Sequence, residues 1–556
     1  MAYKKVEAGS SDNTPYNNFS LGTLYSYPRG LDDGNAMEHA GALGLSLSGL
    51  DDGLLGKVES LLQFCFPNGP DVSIDDPATD LAQAFLTTDG IRHLAECYMS
   101  FHDHWPMLHT PTFKIAQADN SLMMAVLCIG AIYSPRLDAD QTRMLMDFVK
   151  ATVHRNCSIY TRYLAGQVQG LGLQSWEIEE FQALIIVQCM FTWHGDPQQR
   201  QAARSEFPLL VRLAQAMKLC ESAPPGHYAY SKYHGIQGEH RSVADSGDWS
   251  WYSWLEQEKR NRALFLLFLG DAVLTMYFNC TPQFDPFQIR LSLPADDAAW
   301  NAKDSQACAS ALGLFGASEQ SQNVTGTKRA SQPRMREVMR GLLDPAAVFQ
   351  PRATNIYSKF ILVHALVARI TACQRALAQP ESHSQAFTSM PDHGSPRTPL
   401  AQHDWLEQRP GSGSLSASSS GVATPTHGVG PQNIALQQER KRLMYALDKW
   451  KRCWDADLEV QYPPGQTRLR RFGFSRDGVH FFYLGRSFLQ SMRAADWSAP
   501  ADLRFQQVMT LLRRIKSFVV GENDSGAHDI GSVSDIDELY GRDTLTLDSM
   551  IDATSL

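Results

Sequence analysis

Apolar residues recur every three or four positions along most of the chain, which is the spacing of one face of an α-helix. The spacing predicts a short amphipathic piece at 54–66 and longer helices over about 89–105, 120–134, 141–163, 175–193, 197–217, 251–271, 354–377, 443–454, 477–492 and 501–520. Runs that alternate apolar and polar residues, as half-buried strands do, do not compete with these helices. The expected fold class is therefore all-α.

Shifts in composition divide the chain around one large helical domain. We expect a mostly disordered head with one short helix at 1–79, the core of the domain at 80–302, a flexible insertion and linker at 303–353, and a further helix at 354–378. A low-complexity disordered insertion at 379–431, the C-terminal helices at 432–520 and an acidic–apolar tail at 521–556 complete the prediction. The segments expected to be disordered hold too few apolar side chains to offset the conformational entropy of the chain.

The charge balance and the spacing of the cysteines limit the classes of function that fit the sequence. The 556 residues carry 50 Lys and Arg against 59 Asp and Glu, a net charge of −9, so nucleic-acid contact would need a local basic element. The ten cysteines are scattered singly without a Cys-x-x-Cys pair, which argues against zinc fingers and redox dithiols and favours a reducing compartment. The N-terminus lacks a signal-peptide core and no apolar run looks long enough to cross a bilayer, so we expect no membrane partner.

The stretch 251–302 has the strongest local pattern. Glu256 and Arg260 are four residues apart, as are Glu258 and Arg262. This spacing places each pair on one helix face. We therefore predict a solvated first turn with two surface ion pairs.

An apolar run at 263–269 follows that charged turn and predicts a helix that is buried on nearly all sides. Asp271, at the end of the run, is expected to cap or pair there. Trp254 and Trp300 are expected to anchor the packing of the stretch.

Familiar site patterns are weak or missing. In the sequence His102-Asp103-His104, the two histidines point to different sides of a helix and no third metal ligand is apparent. Gly170-Leu171-Gly172 is only a fragment of a dinucleotide loop. We predict no catalytic, cofactor-binding or metal-binding residues, and no cofactor.

Two basic elements and the tail leave alternatives open. Residues 439–442, with Lys449, Lys451 and Arg452, and the arginines of 468–476 would suit phosphate contacts or a nuclear address, although solvated faces packed near acidic neighbours fit the same residues. The tail alternates acidic and apolar residues, as activation segments do, but a solubilising tail has a similar composition.

Three motifs, taken in order, resemble the regulatory domain of fungal-specific transcription factors, the middle homology region. The first motif is residues 101–113 (FHDHWPMLHTPTF) leading into 122–133. The second runs from Gln182 through Trp193, Arg200 and Leu210-Val211 to 217–219. The third comprises Trp254, Glu256, Lys259, Arg260, Arg262, Phe265, Asp271, Leu293-Pro294, Asp297 and Trp300.

The resemblance implies an all-α nuclear regulator of metabolic or secondary-metabolite genes. Its partners would be the transcription machinery or co-regulators, DNA through a partner protein or a module missing here, and a small-molecule effector. The zinc-based DNA-binding module that usually accompanies this domain finds no matching cysteine spacing in 1–556. One alternative is a helical ligand-binding or adaptor protein without direct DNA contact. Another is an enzyme whose polar cluster assembles only in three dimensions; converging titratable groups would favour it, whereas a large apolar cavity would favour ligand sensing.

Overall fold

The computed structural model describes residues 51–69, 76–102, 106–234, 249–314, 332–378, 431–461, 478–490 and 497–520. Sixteen α-helices and no named strands lie within these ranges, so the all-α prediction is confirmed. The helices are α1 Asp51–Cys65, α2 Pro77–Phe85, α3 Thr88–His102, α4 Asn120–Tyr133, α5 Ala139–Asn156, α6 Ser158–Leu164, α7 Ser175–His194, α8 Pro197–Ala216, α9 Trp251–Phe278, α10 Asp297–Trp300, α11 Ser305–Ala311, α12 Met335–Leu343, α13 Ile356–Ala378, α14 Pro431–Gln461, α15 Gly478–Gln490 and α16 Ala501–Val520.

Three helices, α4, α9 and α13, lie at the centre of the fold. Helix α4 packs on α3, α5 and α7, while α9 packs on α7, α13 and α16. Helix α13 in turn packs on α14 and α15. One apolar core runs through these layers from Leu54 to Ile515, and a smaller cluster surrounds Trp254 and Trp300.

Local sequence features explain where several helices begin and how closely they approach. Asp119, rather than Asn120 or Ser121, caps α4 by accepting hydrogen bonds from the amides of Ser121 and Leu122 at 2.8 and 3.3 Å. A Cβ at Gly130 would lie 1.9 Å from the carbonyl oxygen of Leu94, so α3 and α4 touch at a position that only glycine allows.

The structure differs from the predicted helices in several places. Helix α2, Pro77–Phe85, has no predicted counterpart, and α14 is longer than the helix predicted at 443–454. The helix expected at 141–163 is broken at Cys157, because the Glu180 carboxylate accepts the amides of Ser158 and Ile159 at 2.7 and 2.9 Å and starts α6 there. Within 303–353, which was expected to be a flexible insertion and linker, α11 and α12 form and bury apolar side chains. Apolar spacing in these short helices is obscured by the surrounding polar sequence. The segments expected to be disordered at 1–50, 379–430 and 521–556 lie outside the described residues.

Two core helices correct the expectation that no stretch is long enough to cross a bilayer. Helices α9 and α13 have 28 and 23 residues and are sufficiently apolar to do so by length and composition. However, 94% and 89% of their most apolar windows are buried inside the protein. Their apolar character therefore matches their position as central helices of the domain.

Candidate functional site

The charged first turn of α9 is buried, which corrects the prediction of surface ion pairs. Glu256, Glu258, Arg260 and Arg262 are all less than 5% exposed, and Glu258 and Arg262 are fully enclosed. The four-residue spacing showed which side chains share a face of the helix. It did not show that distant parts of the chain cover that face.

Glu258 and Arg262 form a buried ion pair that holds the loop before α10. The Arg262 Nε donates to Glu258 Oε1 at 2.9 Å, and its Nη2 donates to the Ala295 carbonyl at 3.0 Å. The same Glu258 oxygen accepts the Ala295 amide at 2.8 Å, and the other lies 3.1 Å from His234 Nε2. The Arg262 guanidinium also lies 4.3 Å from the centre of the Trp300 ring. The pair therefore fixes a loop and an aromatic side chain at the same time.

Glu256 and Arg260 do not pair with each other. Glu256 accepts a hydrogen bond from Lys259 at 2.8 Å. Arg260 instead donates to the carbonyls of Gly172 and Met217 at 2.8 and 3.2 Å. Burial lowers the pKa of Arg260, against the opposing effect of Tyr228. Arg260 thus ties two loops to α9, and its role is positional.

Asp271 acts on the backbone beyond the end of α9. Its carboxylate oxygens accept the amide of Gln283 at 3.0 and 2.9 Å and the amide of Phe284 at 2.9 Å. Burial raises its pKa to about 7, although both amides favour the ionised form. Asp271 was predicted to cap or pair near the apolar run; it instead binds the backbone of the loop that follows α9.

The fold brings the three motifs into contact. Gln182 of the second motif donates to the Met107 carbonyl of the first at 3.2 Å. Arg260 of the third motif donates to the carbonyl of Met217 in the second. His109 of the first motif packs edge-on against Trp300 of the third, with ring centres 4.9 Å apart. Each motif therefore touches the other two.

A polar cavity of about 200 Å³ lies where these motifs meet. It is bounded by α7, α9, the start of α4 and the loop at 108–118. Its polar lining residues include His109, Thr112, Lys114, Glu179, Gln182 and Lys259. This volume is below the roughly 300–1,000 Å³ of pockets that hold drug-sized ligands, so any occupant must be small.

Two titratable groups in the polar cavity are perturbed by burial. Burial lowers the pKa of His109 to about 3, and the positive charges of Lys259 and Arg262 act in the same direction. Its Nδ1 lies 2.7 Å from Thr112 Oγ1. Burial raises the pKa of Glu179, although the Asp119 amide, 2.7 Å away, favours the carboxylate. His109 is therefore neutral near pH 7.

A second, apolar cavity of about 40 Å³ lies further along the same two helices. Ile186 and Trp193 of α7, Phe207 of α8, and Leu267 and Gly270 of α9 contribute to its lining. The cavity with converging titratable groups is thus the larger of the two, and the apolar cavity of about 40 Å³ is smaller than the large apolar cavity that would favour ligand sensing.

Several of the basic side chains on α14 are bound to internal acceptors. Lys449 donates to the carbonyls of Gly341, Asp344 and Ala347 at 2.6–3.0 Å. Lys451 donates to Asp455 at 2.7 Å. Within the described part of α14, Lys441, Arg442 and Arg452 remain exposed. The local field for phosphate is therefore weaker than the composition suggested, and the arginines at 468–476 lie outside the described residues.

No candidate metal site is found in the part of the chain that the structure describes. No three His, Cys, Asp or Glu side chains converge there in a way that could hold a metal ion. His102 ends α3, while residues 103–105 lie outside the described ranges. All ten cysteines are free thiols.

Comparison with known proteins finds a matching family model for part of the chain. Residues 96–325 match the fungal specific transcription factor domain, a range that contains all three motifs and both cavities. The resemblance inferred from the three motifs is confirmed, and the buried ion pair and the polar cavity lie within the matched range. The match carries no information on an accompanying zinc module.

Similar curated proteins are fungal regulators. The chain is 24% identical over 304 residues to the "Nicotinate catabolism cluster-specific transcription factor" of Emericella nidulans, covering 54% of this chain and 30% of that protein. It is 26% identical over 258 residues to "Transcription factor verF" of Penicillium polonicum, covering 45% and 33%. "Zinc finger protein zas1" of Schizosaccharomyces pombe is 26% identical over 222 residues, covering 40% and 22%. The chain thus spans a third or less of the length of these relatives, and no solved structure matches it significantly.

Sequence reasoning about the domain did not foresee the polar cavity. His109 lies within the first motif and Glu179 near the N-terminus of α7, and no local pattern in the sequence marks either of them as a cavity residue. Their convergence depends on tertiary packing, which residue spacing does not specify.

Proposed function

We propose that this chain is a nuclear transcriptional regulator of metabolic or secondary-metabolite genes. The observation that carries the proposal is the match of residues 96–325 to the fungal specific transcription factor domain. Relatives named as pathway-specific transcription factors support the metabolic assignment. DNA would be reached through a partner protein or a separate DNA-binding module, while the acidic–apolar tail contacts co-regulators or the transcription machinery.

Enzymatic activity is the less well supported alternative. A general base that works near neutral pH needs a pKa close to the operating pH. Burial holds the pKa of His109 at about 3, so the imidazole is a weak base although Thr112 Oγ1 lies within hydrogen-bond distance. These groups fit ligand recognition better than proton transfer.

A tethering experiment tests the regulatory function. Residues 1–556 and 1–520 are each fused to a heterologous DNA-binding domain, and reporter output and protein level are measured in fungal cells. We expect the full chain to change output, and we expect 1–520 to lose any activation because it lacks the acidic tail. If both fusions accumulate in the nucleus and neither alters output, the proposal is wrong.

The polar cavity has room for a small molecule, and this supports a second candidate, a ligand-binding protein without transcriptional output. The same fusions distinguish it from the first, because a pure binding or adaptor protein would accumulate normally and leave the reporter unchanged. Fluorescence microscopy of the untethered full chain adds a test of nuclear localisation.

A further inference from the structure

Two lysines and one acidic residue line the polar cavity, and a second carboxylate, that of Glu256, pairs with Lys259. Lys259 and Lys114 contribute ammonium groups, while Glu179 is the acidic group of its lining. Burial raises the pKa of Glu179 and so favours its neutral form. Lys259 donates one hydrogen bond to Glu256, and an ammonium group has three N–H donors in all. Further donors on Lys259 are therefore available for an anionic occupant.

His109 is a buried, neutral part of the lining, and its ring contacts protein groups on both sides. The residue is 3% exposed, and its Nδ1 lies 2.7 Å from Thr112 Oγ1. The carbonyls of Trp300 and Ala302 hydrogen-bond to the ring and favour its protonation, but burial outweighs them and keeps the pKa low. His109 therefore adds no positive charge to the cavity, and the two lysines are the cations of its lining.

The remaining lining limits the kind of anion. Leu108, Phe113 and Leu122 supply apolar surface beside the polar groups. When its carboxylate is ionised, Glu179 repels any anion, and it repels an occupant with two or more negative charges more strongly than one with a single charge. A single negative charge attached to an apolar body suits both sets of residues.

We propose that this cavity binds a small organic monocarboxylate, which accepts a charge-assisted hydrogen bond from Lys259 and packs its apolar body beside Phe113. Charge-assisted hydrogen bonds to carboxylates are roughly twice as strong as neutral ones, so Lys259 supplies much of the selectivity. Gln182 adds a neutral polar contact. Phe113 provides a partner for an aromatic or aliphatic body.

A ligand in the polar cavity would lie next to a residue that is linked by contacts to the buried Glu258–Arg262 ion pair. His109 lines the cavity and contacts Trp300, whose ring lies 4.3 Å from the Arg262 guanidinium. Arg262 and Glu258 together bind the Ala295 backbone. A ligand beside His109 thus adjoins the contacts that fix the loop before α10. This regulatory consequence rests on the proposed function, whereas binding itself does not.

The binding test uses the purified full chain and isothermal titration calorimetry. Benzoate is the probe, with octanoate and indole-3-acetate as larger monocarboxylates. Benzamide is a neutral control of nearly the same shape, and inorganic phosphate tests for general anion binding. We expect at least one carboxylate to bind with one-site stoichiometry, with benzamide and phosphate at least about tenfold weaker. The proposal is overturned if no carboxylate binds at millimolar concentration, or if benzamide or phosphate binds as well as the best carboxylate.

Variants locate the binding site. Lys259→Met should weaken carboxylate binding at least about tenfold, whereas Lys259→Arg should largely retain it. Lys150→Met is the matched control, because Lys150 pairs with Glu206 at 2.7 Å and has 18% side-chain exposure, against 2.8 Å and 21% for Lys259 with Glu256. If Lys259→Met binds carboxylates with unchanged affinity, the carboxylate binds elsewhere and the proposed site is wrong.

A second variant guards against loss of folding. Lys259→Met leaves the buried Glu256 without its lysine, so Glu256→Gln/Lys259→Met removes both charges of the pair. This double variant should fold and bind carboxylates as poorly as Lys259→Met. Normal binding by a folded double variant contradicts the role of Lys259. In the tethered reporter, the best carboxylate should change the output of the wild type and leave Lys259→Met unchanged. Binding without a reporter response would retain the site and reject only its regulatory consequence.

Discussion

The two halves of α9 are buried to similar degrees but are stabilised by different means. In the first half, Glu258 and Arg262 are enclosed as a hydrogen-bonded ion pair, and the polar cavity lies beside Lys259. In the second half, apolar side chains fill the core, and the smaller apolar cavity lies beside Leu267 and Gly270. Helix α7 lines both cavities.

The two halves of α9 contribute differently to the fold: one fixes a particular arrangement of loops, and the other stabilises the core by packing. Buried ion pairs add little net stability over apolar replacements of similar volume, but the loss of one partner is costly. Apolar packing contributes stability in proportion to the surface buried. We infer that the first half of α9 fixes the arrangement of loops around the polar cavity, while the second half supplies most of the packing energy.

Loss of Arg262 should have the largest effect on stability. Arg262→Met keeps much of the side-chain length but leaves the Glu258 carboxylate buried without its guanidinium partner. We expect the free energy of unfolding to fall by about 3–5 kcal/mol. Urea unfolding of the full chain, followed by circular dichroism, measures the change.

Two controls show whether burial of the pair causes that loss. Arg143→Met breaks an ion pair with Asp140, which is 89% exposed, and should cost less than about 1 kcal/mol. Glu258→Gln/Arg262→Met removes both charges and should be more stable than Arg262→Met alone. If Arg262→Met lowers the free energy of unfolding no more than Arg143→Met does, the inference that the first half of α9 depends on a buried ion pair is wrong.

The next largest effect is expected in the apolar half. Leu267 is 1% exposed and borders the apolar cavity. Few neighbouring side chains can therefore move into the space that a smaller residue would leave. Leu267→Ala should lower the free energy of unfolding by about 2–4 kcal/mol. Leu164→Ala, at a leucine that is 59% exposed, serves as the control and should change it by less than about 0.5 kcal/mol. Equal losses in both variants would show that the second half is not tightly packed.

Asp271 is the charged exception in the apolar half and gives a smaller, pH-dependent effect. Its pKa of about 7 in the fold lies above the value near 3.9 of an unfolded chain. Between these values the folded state binds the extra proton, so this group makes stability fall as pH rises from about 4 to about 7. Asp271→Asn removes that slope. Between pH 5 and 8, wild type should lose roughly 2 kcal/mol relative to Asp271→Asn.

Urea unfolding at several pH values measures that difference. Asp285→Asn is a suitable control, since the Asp285 carboxylate accepts the Phe287 amide at 3.0 Å and the residue lies on the same loop. Parallel pH profiles for wild type and Asp271→Asn would show that the three backbone hydrogen bonds hold Asp271 ionised throughout the range.

The sequence predicts the helices better than it predicts the site. Apolar spacing placed most helices of the domain, because a helix face is a local property of the chain. The pairing of Glu258 with Arg262 was also predictable from their spacing. Their burial was not, because the covering groups come from His234, Ala295 and Trp300, and the spacing of charges within a helix contains no information about such contacts.

The cavity residues illustrate the same limit more strongly. His109, Gln182 and Lys259 come from the three separate motifs, Glu179 lies just before the second, and these residues share no spacing rule. The motifs indicated a resemblance to one family of domains, but the sequence did not show which side chains face one another. Only the packing of α4, α7 and α9 determines that the polar positions converge.

Gly270→Ala should have the smallest effect, and its sign should be opposite to that of the other changes in α9. An added Cβ would lie 3.4 Å from Cε2 of Phe207, at the edge of the apolar cavity, which is an ordinary contact distance. Because glycine in a helix interior is less favourable than alanine by about 1 kcal/mol, we expect a gain of about 0.5–1 kcal/mol in the free energy of unfolding. Gly130→Ala is the matched control and should be strongly destabilising, since its Cβ would overlap the Leu94 carbonyl. If Gly270→Ala instead lowers the free energy of unfolding, α8 and α9 already pack as closely as α3 and α4. The second half of α9 would then have no room for an added methyl group.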